Sequence, residues 1–203
     1  MLKLIKLISG IIISSLGIAM VTKSCLGTYA LTATVQAVSN WGSISFAMAN
    51  LLIEIGMISY ATYKGEGLGW TAIINALLAS VMISTFIKIL PSHPMMFVGI
   101  FICPFAWAMI GSVGWGDTGS NILMRALMKT TGKDIITIRT IEEATFLIIG
   151  FLGARNLVTI YSVIITFITP VLLKIIYNLV NYKPAEVEHQ FISFRSLIRK
   201  NTH

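Results

Sequence analysis

The sequence predicts an all-α integral membrane protein with six transmembrane helices, arranged as two inverted three-helix repeats. A short amphipathic helix is predicted after the first span of each repeat. Of the 203 residues, 56% are hydrophobic and only 11% are charged, whereas a typical soluble domain is about 25% charged. Six apolar stretches are long enough to cross a bilayer core, which needs roughly 17 to 25 helical residues. The same order of elements then occurs twice along the chain.

The six predicted spans are residues 4–22, 43–63, 70–90, 95–113, 135–154 and 157–179. The first one begins beside Lys3 and Lys6, and such lysines ahead of an apolar run also resemble a signal peptide. Lys23 stands where a lipoprotein motif needs a small residue before Cys25, so we expect the segment to be retained. The chain therefore divides into a first repeat at 1–91, a second repeat at 92–180 and a basic cytoplasmic tail at 181–203.

The repeat is visible when the sequence is compared with itself at an offset of 88 residues. Glu54 then falls on Glu142, and Gly65 falls on Gly153. Each half holds three spans, and an odd number of spans places the second half upside down in the membrane relative to the first. Such inverted repeats are common among secondary transporters.

The two short helices follow polar, glycine-containing turns. In the second half, Asp117 or Ser120 could cap the N-terminus of the helix and Gly132 its C-terminus. This helix either points its positive end at a substrate, with Asp117 as a candidate ligand, or only connects two spans at the interface. Turn or cap roles are predicted for six glycines, namely Gly27, Gly65, Gly114, Gly116, Gly132 and Gly153.

The distribution of basic residues predicts the orientation of the chain. With a cytoplasmic N-terminus, eleven lysines and arginines lie on the inner side and three on the outer side. We therefore expect a multi-pass protein of the bacterial cytoplasmic membrane with both termini in the cytoplasm. The lysines and arginines behind the net charge of +7 then lie mostly beside the anionic lipids of the inner leaflet. Nucleic acid is not an expected partner.

The charged residues inside the apolar stretches are the candidate site. Arg139, Glu142 and Glu143 share one helical face because they are three and four residues apart. Glu54 and Glu142 each precede a turn glycine by 11 residues, which is ~16 Å of helix and about half of a ~30 Å hydrocarbon core.

An ionisable group at that depth is costly and is usually functional, so we predict a substrate or ion site, with Asn75 lining the same interior. The alternative is an internal salt bridge with packing roles for Glu54 and Asn75.

Enzymatic, metal and cofactor chemistry are not expected. Cys25 and Cys103 have no partner at metal-ligand spacing. The three histidines, His93, His189 and His203, lie in a loop and in the tail, away from the candidate site.

The stretch "VGWGDTGSNILMRALMKTTGKDIITIRTIEEATFLIIGFLGARNLVT" at 113–159 resembles the second-half signature of the bacterial YczE/YyaS/YitT-type membrane proteins. The matching residues are Gly114, Gly116, Asp117, Thr131, Gly132, Arg139, Glu142, Gly153 and Thr159. The first half matches through "CLGTYAL", Gly42 and "GLGWTAIINALLAS". The resemblance covers about residues 10–180, implies a multi-pass bacterial membrane protein, and supplies no substrate.

These observations favour a small secondary transporter or permease for an unidentified polar small molecule or ion. Two alternatives stay open. One is a non-transporting accessory or scaffold membrane protein, and the other is the substrate-capture subunit of an ATP-driven importer. The lipid bilayer is an expected partner in each case, and a homo-oligomer or a partner membrane protein is possible.

Overall fold

The computed structural model describes residues 2–92 and 96–182, and its regular elements confirm the predicted all-α class. Its eight α-helices are α1 (Leu2–Lys23), α2 (Ala30–Gly42), α3 (Phe46–Tyr63), α4 (Trp70–Ile89), α5 (Met96–Gly111), α6 (Gly119–Thr131), α7 (Ile135–Gly153) and α8 (Ile160–Leu179). A 3₁₀ turn at Arg155–Leu157 joins the last two. The predicted tail at 181–203 lies almost entirely outside the described residues, as do all three histidines.

Several of these helices are long and apolar enough to span a membrane. The helices α1, α3, α4 and α8 meet both conditions. The described part of α5 is apolar but has 16 residues, fewer than the ~20 that a span needs. The helix α7 has 19 residues and carries three charged ones, Arg139, Glu142 and Glu143. Each of the six predicted spans thus contains a helix among the described residues, and four of these helices have the length and composition of a span.

Polar side chains begin several of the helices. The Ser45 side chain accepts a hydrogen bond from the third residue of α3, and Thr118 does the same for α6 in place of the predicted Asp117 or Ser120. At α7 the cap is Asp134, which accepts from the Thr137 hydroxyl and from the Ile136 N–H at 3.2 Å. These hydrogen bonds hold the pKa of Asp134 below its usual value.

The helix contacts form matching pairs. The helix α2 packs on α7 and α3 packs on α6, while α1 packs on α4 and α5 packs on α8. Likewise α3 packs on α4 and α7 on α8, and α2 packs on α3 and α6 on α7. The pair α1 and α5 is its own counterpart. Each contact made by one half of the chain therefore recurs when the two halves are exchanged.

Small residues allow the closest of these contacts. A Cβ placed on Gly99 of α5 would lie 2.5 Å from the carbonyl oxygen of Gly17 in α1, and one on Gly150 of α7 would lie 2.5 Å from the Cβ of Ala33 in α2. Small residues let helix backbones approach closely, which is how helices associate in lipid. The halves are therefore joined by backbone contacts that larger side chains would prevent.

The turns that precede α2 and α6 are each fixed by contacts with a residue distant in the sequence. Gly116 has a φ of +106°, and a Cβ on it would lie 2.7 Å from the Cα of Gly69, so the two turns pack backbone against backbone. In the first half, the N–H of Thr28 donates to the hydroxyl of Ser162 at 3.0 Å. Both short helices thus begin at fixed positions in the interior.

Candidate functional site

The predicted interior residues surround a cavity of about 60 Å³. Its polar lining comes from six helices, α1 to α4, α6 and α7. It includes Ser14, Thr32, Asn50, Glu54, Asn75, Thr118, Ser120, Arg139 and Glu143. Apolar walls are formed by Ile18, Phe46, Ala79, Ile83 and Trp107, among others. Four of the six predicted binding residues line the cavity, namely Glu54, Asn75, Arg139 and Glu143. Glu142 and Asp117 do not line the cavity, but they hydrogen-bond to Ser120 and Thr118, which do.

Glu54 faces the start of α6. Its Oε2 accepts a hydrogen bond from the backbone N–H of Gly119 at 3.1 Å, and the side chain is buried. Gly119 is required for this approach, because a Cβ there would collide with the Glu54 carboxylate. The first N–H groups of a helix carry partial positive charge, so α6 stabilises the negative charge of Glu54.

Arg139 and Glu142 form a closed network with Ser120. The Nη1 of Arg139 lies 2.9 Å from Oε2 of Glu142 and also donates to the Ser120 hydroxyl. That hydroxyl donates to Oε1 of Glu142 at 3.0 Å. Both carboxylate oxygens of Glu142 therefore have a partner, and the network anchors the start of α6 to α7.

Glu143 is a buried carboxylate that takes no part in this hydrogen-bond network. Its Oε1 lies 3.5 Å from the Nε of Arg139, without a hydrogen bond between them. Its Oε2 has no hydrogen-bond partner among the described residues, although the residue is only 4% exposed. Buried polar atoms without a partner are rare and call for an explanation.

Glu54 and Glu143 have the same position within their helices. Each is the ninth residue of its helix, α3 and α7 respectively, whereas Glu142 is the eighth. The sequence comparison had aligned Glu54 with Glu142 through the following glycines. Those glycines are not equivalent, because Gly65 lies in a turn with a φ of +94° and Gly153 is the last residue of α7. The structural offset between α3 and α7 is thus 89 residues.

Asn50 and Asn75 add amide groups to the cavity wall. The amide nitrogen of Asn50 donates to the hydroxyl of Ser80 at 2.8 Å, and that hydroxyl donates in turn to the carbonyl of Ala76 at 2.5 Å. Because the Ser80 proton is already used, Ser80 can only accept from Asn50, which leaves the Asn50 carbonyl oxygen available to the cavity. Asn75 is buried and makes no hydrogen bond among the described residues.

Asp117 serves a second network behind the cavity. Its Oδ1 accepts from the N–H of Thr118 at 2.8 Å and from the amide of Asn121 at 2.7 Å, and its Oδ2 accepts from the Tyr182 hydroxyl at 2.6 Å. Burial, followed by the negative charge of Asp117, raises the pKa of Tyr182 well above its ordinary value, so this phenol remains a donor. Asp117 thus ties the start of α6 to the residues after α8.

A buried ion pair at the far end of α6 was not predicted from the sequence. Oε2 of Glu66, in the turn after α3, lies 3.4 Å from the Nε of Arg125, and its Oε1 lies 2.5 Å from the Nζ of Lys129. Glu66 and Arg125 are both buried. The sequence places Glu66 in a glycine-rich turn between two spans, where a charge is ordinarily solvated.

Asn50, Ser120 and Gly119 are further site residues that the sequence did not assign to the cavity. Asn50 could have been found as a polar residue within an apolar stretch. Nothing in the sequence distinguishes Gly119 from other turn glycines. Among the described residues, no group of three or more histidine, cysteine, aspartate or glutamate side chains is placed to hold a metal ion.

The model of the family described as "Family of unknown function (DUF6198)" matches residues 1–178 of the chain. No curated protein matches the sequence, and no solved structure matches the fold.

Proposed function

Because the chain belongs to DUF6198, a family whose description assigns no activity, we propose its function from the site: a small secondary transporter or permease for a polar small molecule or ion. The resemblance to YczE/YyaS/YitT-type proteins supports a bacterial cytoplasmic membrane location. The distribution of basic residues supports cytoplasmic termini.

One observation carries this proposal. Two carboxyl groups, Glu54 and Glu143, face a polar cavity at the middle of two helices in a chain of membrane-length helices. A structural salt bridge accounts for Arg139 with Glu142. Among the described residues it leaves Glu54 without a cationic partner, and Glu143 with only a 3.5 Å ion pair to the shared Arg139. Ionisable residues at this depth are expensive and mark binding or coupling sites in transporters.

A two-fold relation between the halves supports the transporter assignment. The matching helix contacts and the shared register of Glu54 and Glu143 are what two repeats around one axis would produce. With α1, α3 and α4 as the spans of one half and α5, α7 and α8 as those of the other, the repeats are inverted. The helix α7 can then cross the membrane because its three charged residues are all buried within the protein.

The two halves differ around the site in a way that suits alternating access. In the first half, Phe46 at the start of α3 and Ile83, the fourteenth residue of α4, line the cavity. Their counterparts, Ile135 at the start of α7 and Leu173, the fourteenth residue of α8, pack in an apolar cluster with Tyr177 and Tyr182. Phe46 and Ile83 also pack in an apolar cluster, so the difference between the halves is that the cavity reaches this pair and not its counterparts. Exchange of these two arrangements would move a substrate across.

The test is electrical recording from reconstituted protein on a solid-supported membrane, with concentration jumps of a panel of ions and polar metabolites. Wild-type protein should give a current with at least one member of the panel. Glu54→Gln and Glu143→Gln should abolish it while the protein remains folded by thermal unfolding. Glu66→Gln serves as the control, because that acid is buried outside the cavity.

Wild-type currents in both cavity variants would remove the glutamates from the mechanism. The absence of any current would favour the accessory protein or the substrate-capture subunit, and the second of these should co-purify with an ATPase.

A further inference from the structure

We propose that the cavity binds a monovalent metal cation, held by the carboxylates of Glu54 and Glu143 and the carbonyl oxygen of Asn50. This names the coupling or substrate ion of the proposed transporter. It rests on the proposed function only for the transport step, since binding can be tested alone.

The charge of the site requires a cation. Three carboxyl groups, Glu54, Glu142 and Glu143, surround one guanidinium group, Arg139, and all four side chains are buried. Arg139 neutralises one carboxylate, and the N-terminus of α6 partly offsets Glu54. Negative charge is therefore left in a low-dielectric interior, where an uncompensated carboxylate is costly.

An unpartnered atom shows where the missing charge belongs. Oε2 of Glu143 has no hydrogen-bond partner among the residues of 2–92 and 96–182, and Glu143 lines the cavity. If Glu143 were simply protonated, its O–H donor would lack an acceptor there, which is itself unfavourable. A cation in the cavity, beside the Glu143 side chain, would offset the charge of this carboxylate.

The other polar groups at the cavity can offer oxygen atoms as ligands to a cation. The hydrogen bonds from Asn50 to Ser80 and from Ser80 to Ala76 use the Asn50 amide nitrogen and leave its carbonyl oxygen free to act as a ligand, and Asn50 lines the cavity. Carboxylate, carbonyl, hydroxyl and water oxygens are the ligands of hard cations.

The size and the number of acids favour a monovalent ion. A volume of about 60 Å³ holds on the order of four water molecules, enough for an ion that keeps part of its hydration shell. Calcium sites typically use 6 to 8 oxygens rich in carboxylate, and the described residues hold no group of three acidic, histidine or cysteine ligands.

The experiment is thermal unfolding of the purified full-length protein in detergent, with lithium, sodium, potassium or choline chloride at equal ionic strength. Choline is the reference because it is too large for the cavity. At least one metal cation should raise the melting temperature by several degrees above choline, since a ligand that binds only the folded state stabilises it. The shift should fall several-fold in Glu143→Gln and in Asn50→Leu and persist in Glu66→Gln.

Equal melting temperatures in all four salts for the wild-type protein would overturn the proposal, and this result needs no variant to fold. A shift that persists in both cavity variants would place the ion elsewhere and overturn it as well. The transport recording separates the two ideas. A solute current that is independent of metal cations would keep the transporter and reject the ion site. Cation stabilisation without any current would keep the site and reject transport.

Discussion

The buried charge balance depends on a single residue, Arg139. Its guanidinium group contacts both Glu142 and Glu143, donates to Ser120, and lies 5.7 Å from the centre of the Trp107 ring. It is therefore the only cation placed against these carboxylates among the described residues. Nη1 serves both Glu142 and Ser120 while Nε lies against Glu143, so the compact ammonium group of a lysine could not replace the planar guanidinium.

Arg139→Gln should destabilise the protein strongly, because it leaves several buried carboxyl groups without a cation. Breaking a buried pair by removing one partner typically costs about 3–5 kcal/mol. The double variant Arg139→Gln/Glu142→Gln should recover part of that loss. Chemical unfolding in detergent micelles measures both, with Glu142→Gln as the single-variant control. Additive losses in the double variant would show that the two side chains are not coupled.

At the scale of helices, close packing depends on glycines whose Cβ position is already occupied. The contact of α2 with α7 is the clearest case. Gly150 faces Ala33, and the Thr34 hydroxyl donates to the carbonyl of Phe146 at 2.5 Å in the same contact. Gly56 in α3 provides a contrast, since nothing lies within 4 Å of its Cβ position.

Gly150→Ala should therefore destabilise the protein by about 1–3 kcal/mol, the usual cost of overpacking. The matched control Gly56→Ala adds the same methyl group to a helix at an open position, and alanine is a better helix former than glycine. It should leave stability unchanged or raise it. Thermal unfolding of both variants is the measurement, and equal melting temperatures would show that the α2–α7 contact adapts without cost.

For the whole molecule, the difference between the two halves at the cavity predicts a difference in reactivity. In a background with Cys25→Ser, where the remaining Cys103 is buried, Ile83→Cys on the cavity wall should react with a small polar thiol reagent. Leu173→Cys, at the equivalent position of α8, should react at least several-fold more slowly, because Leu173 is fully buried and does not line the cavity, whereas Ile83 does. Labelling rates followed by mass spectrometry test this, and equal rates would contradict this difference between the halves.

The fold was largely predictable, because apolar runs and polar turns report membrane-length helices directly. The short helices α2 and α6 were also predicted from their position after the first span of each half. The sequence placed Glu54, Asn75, Arg139 and Glu143 in one interior, and the structure brings them to one cavity.

The finer assignments depended on three-dimensional register. An offset of 88 residues aligns Glu54 with Glu142, whereas the 89 residues between the starts of α3 and α7 align it with Glu143. Helix ends set that register, and turn glycines are poor markers of where a helix ends. The approach of Gly119 to Glu54 and the ion pair of Glu66 are long-range contacts, which local patterns do not encode.

The pairing of helices across the halves has a consequence for biosynthesis. The Glu54 carboxylate receives its hydrogen bond from Gly119, 65 residues later, and Thr34 bonds Phe146, 112 residues later. At roughly 5–20 residues per second of synthesis, the nascent first half waits several seconds before these partners exist. During that time Glu54 and the short helix α2 have no protein interior in which to be buried. The first half therefore cannot complete these contacts on the ribosome until the second half has been synthesised.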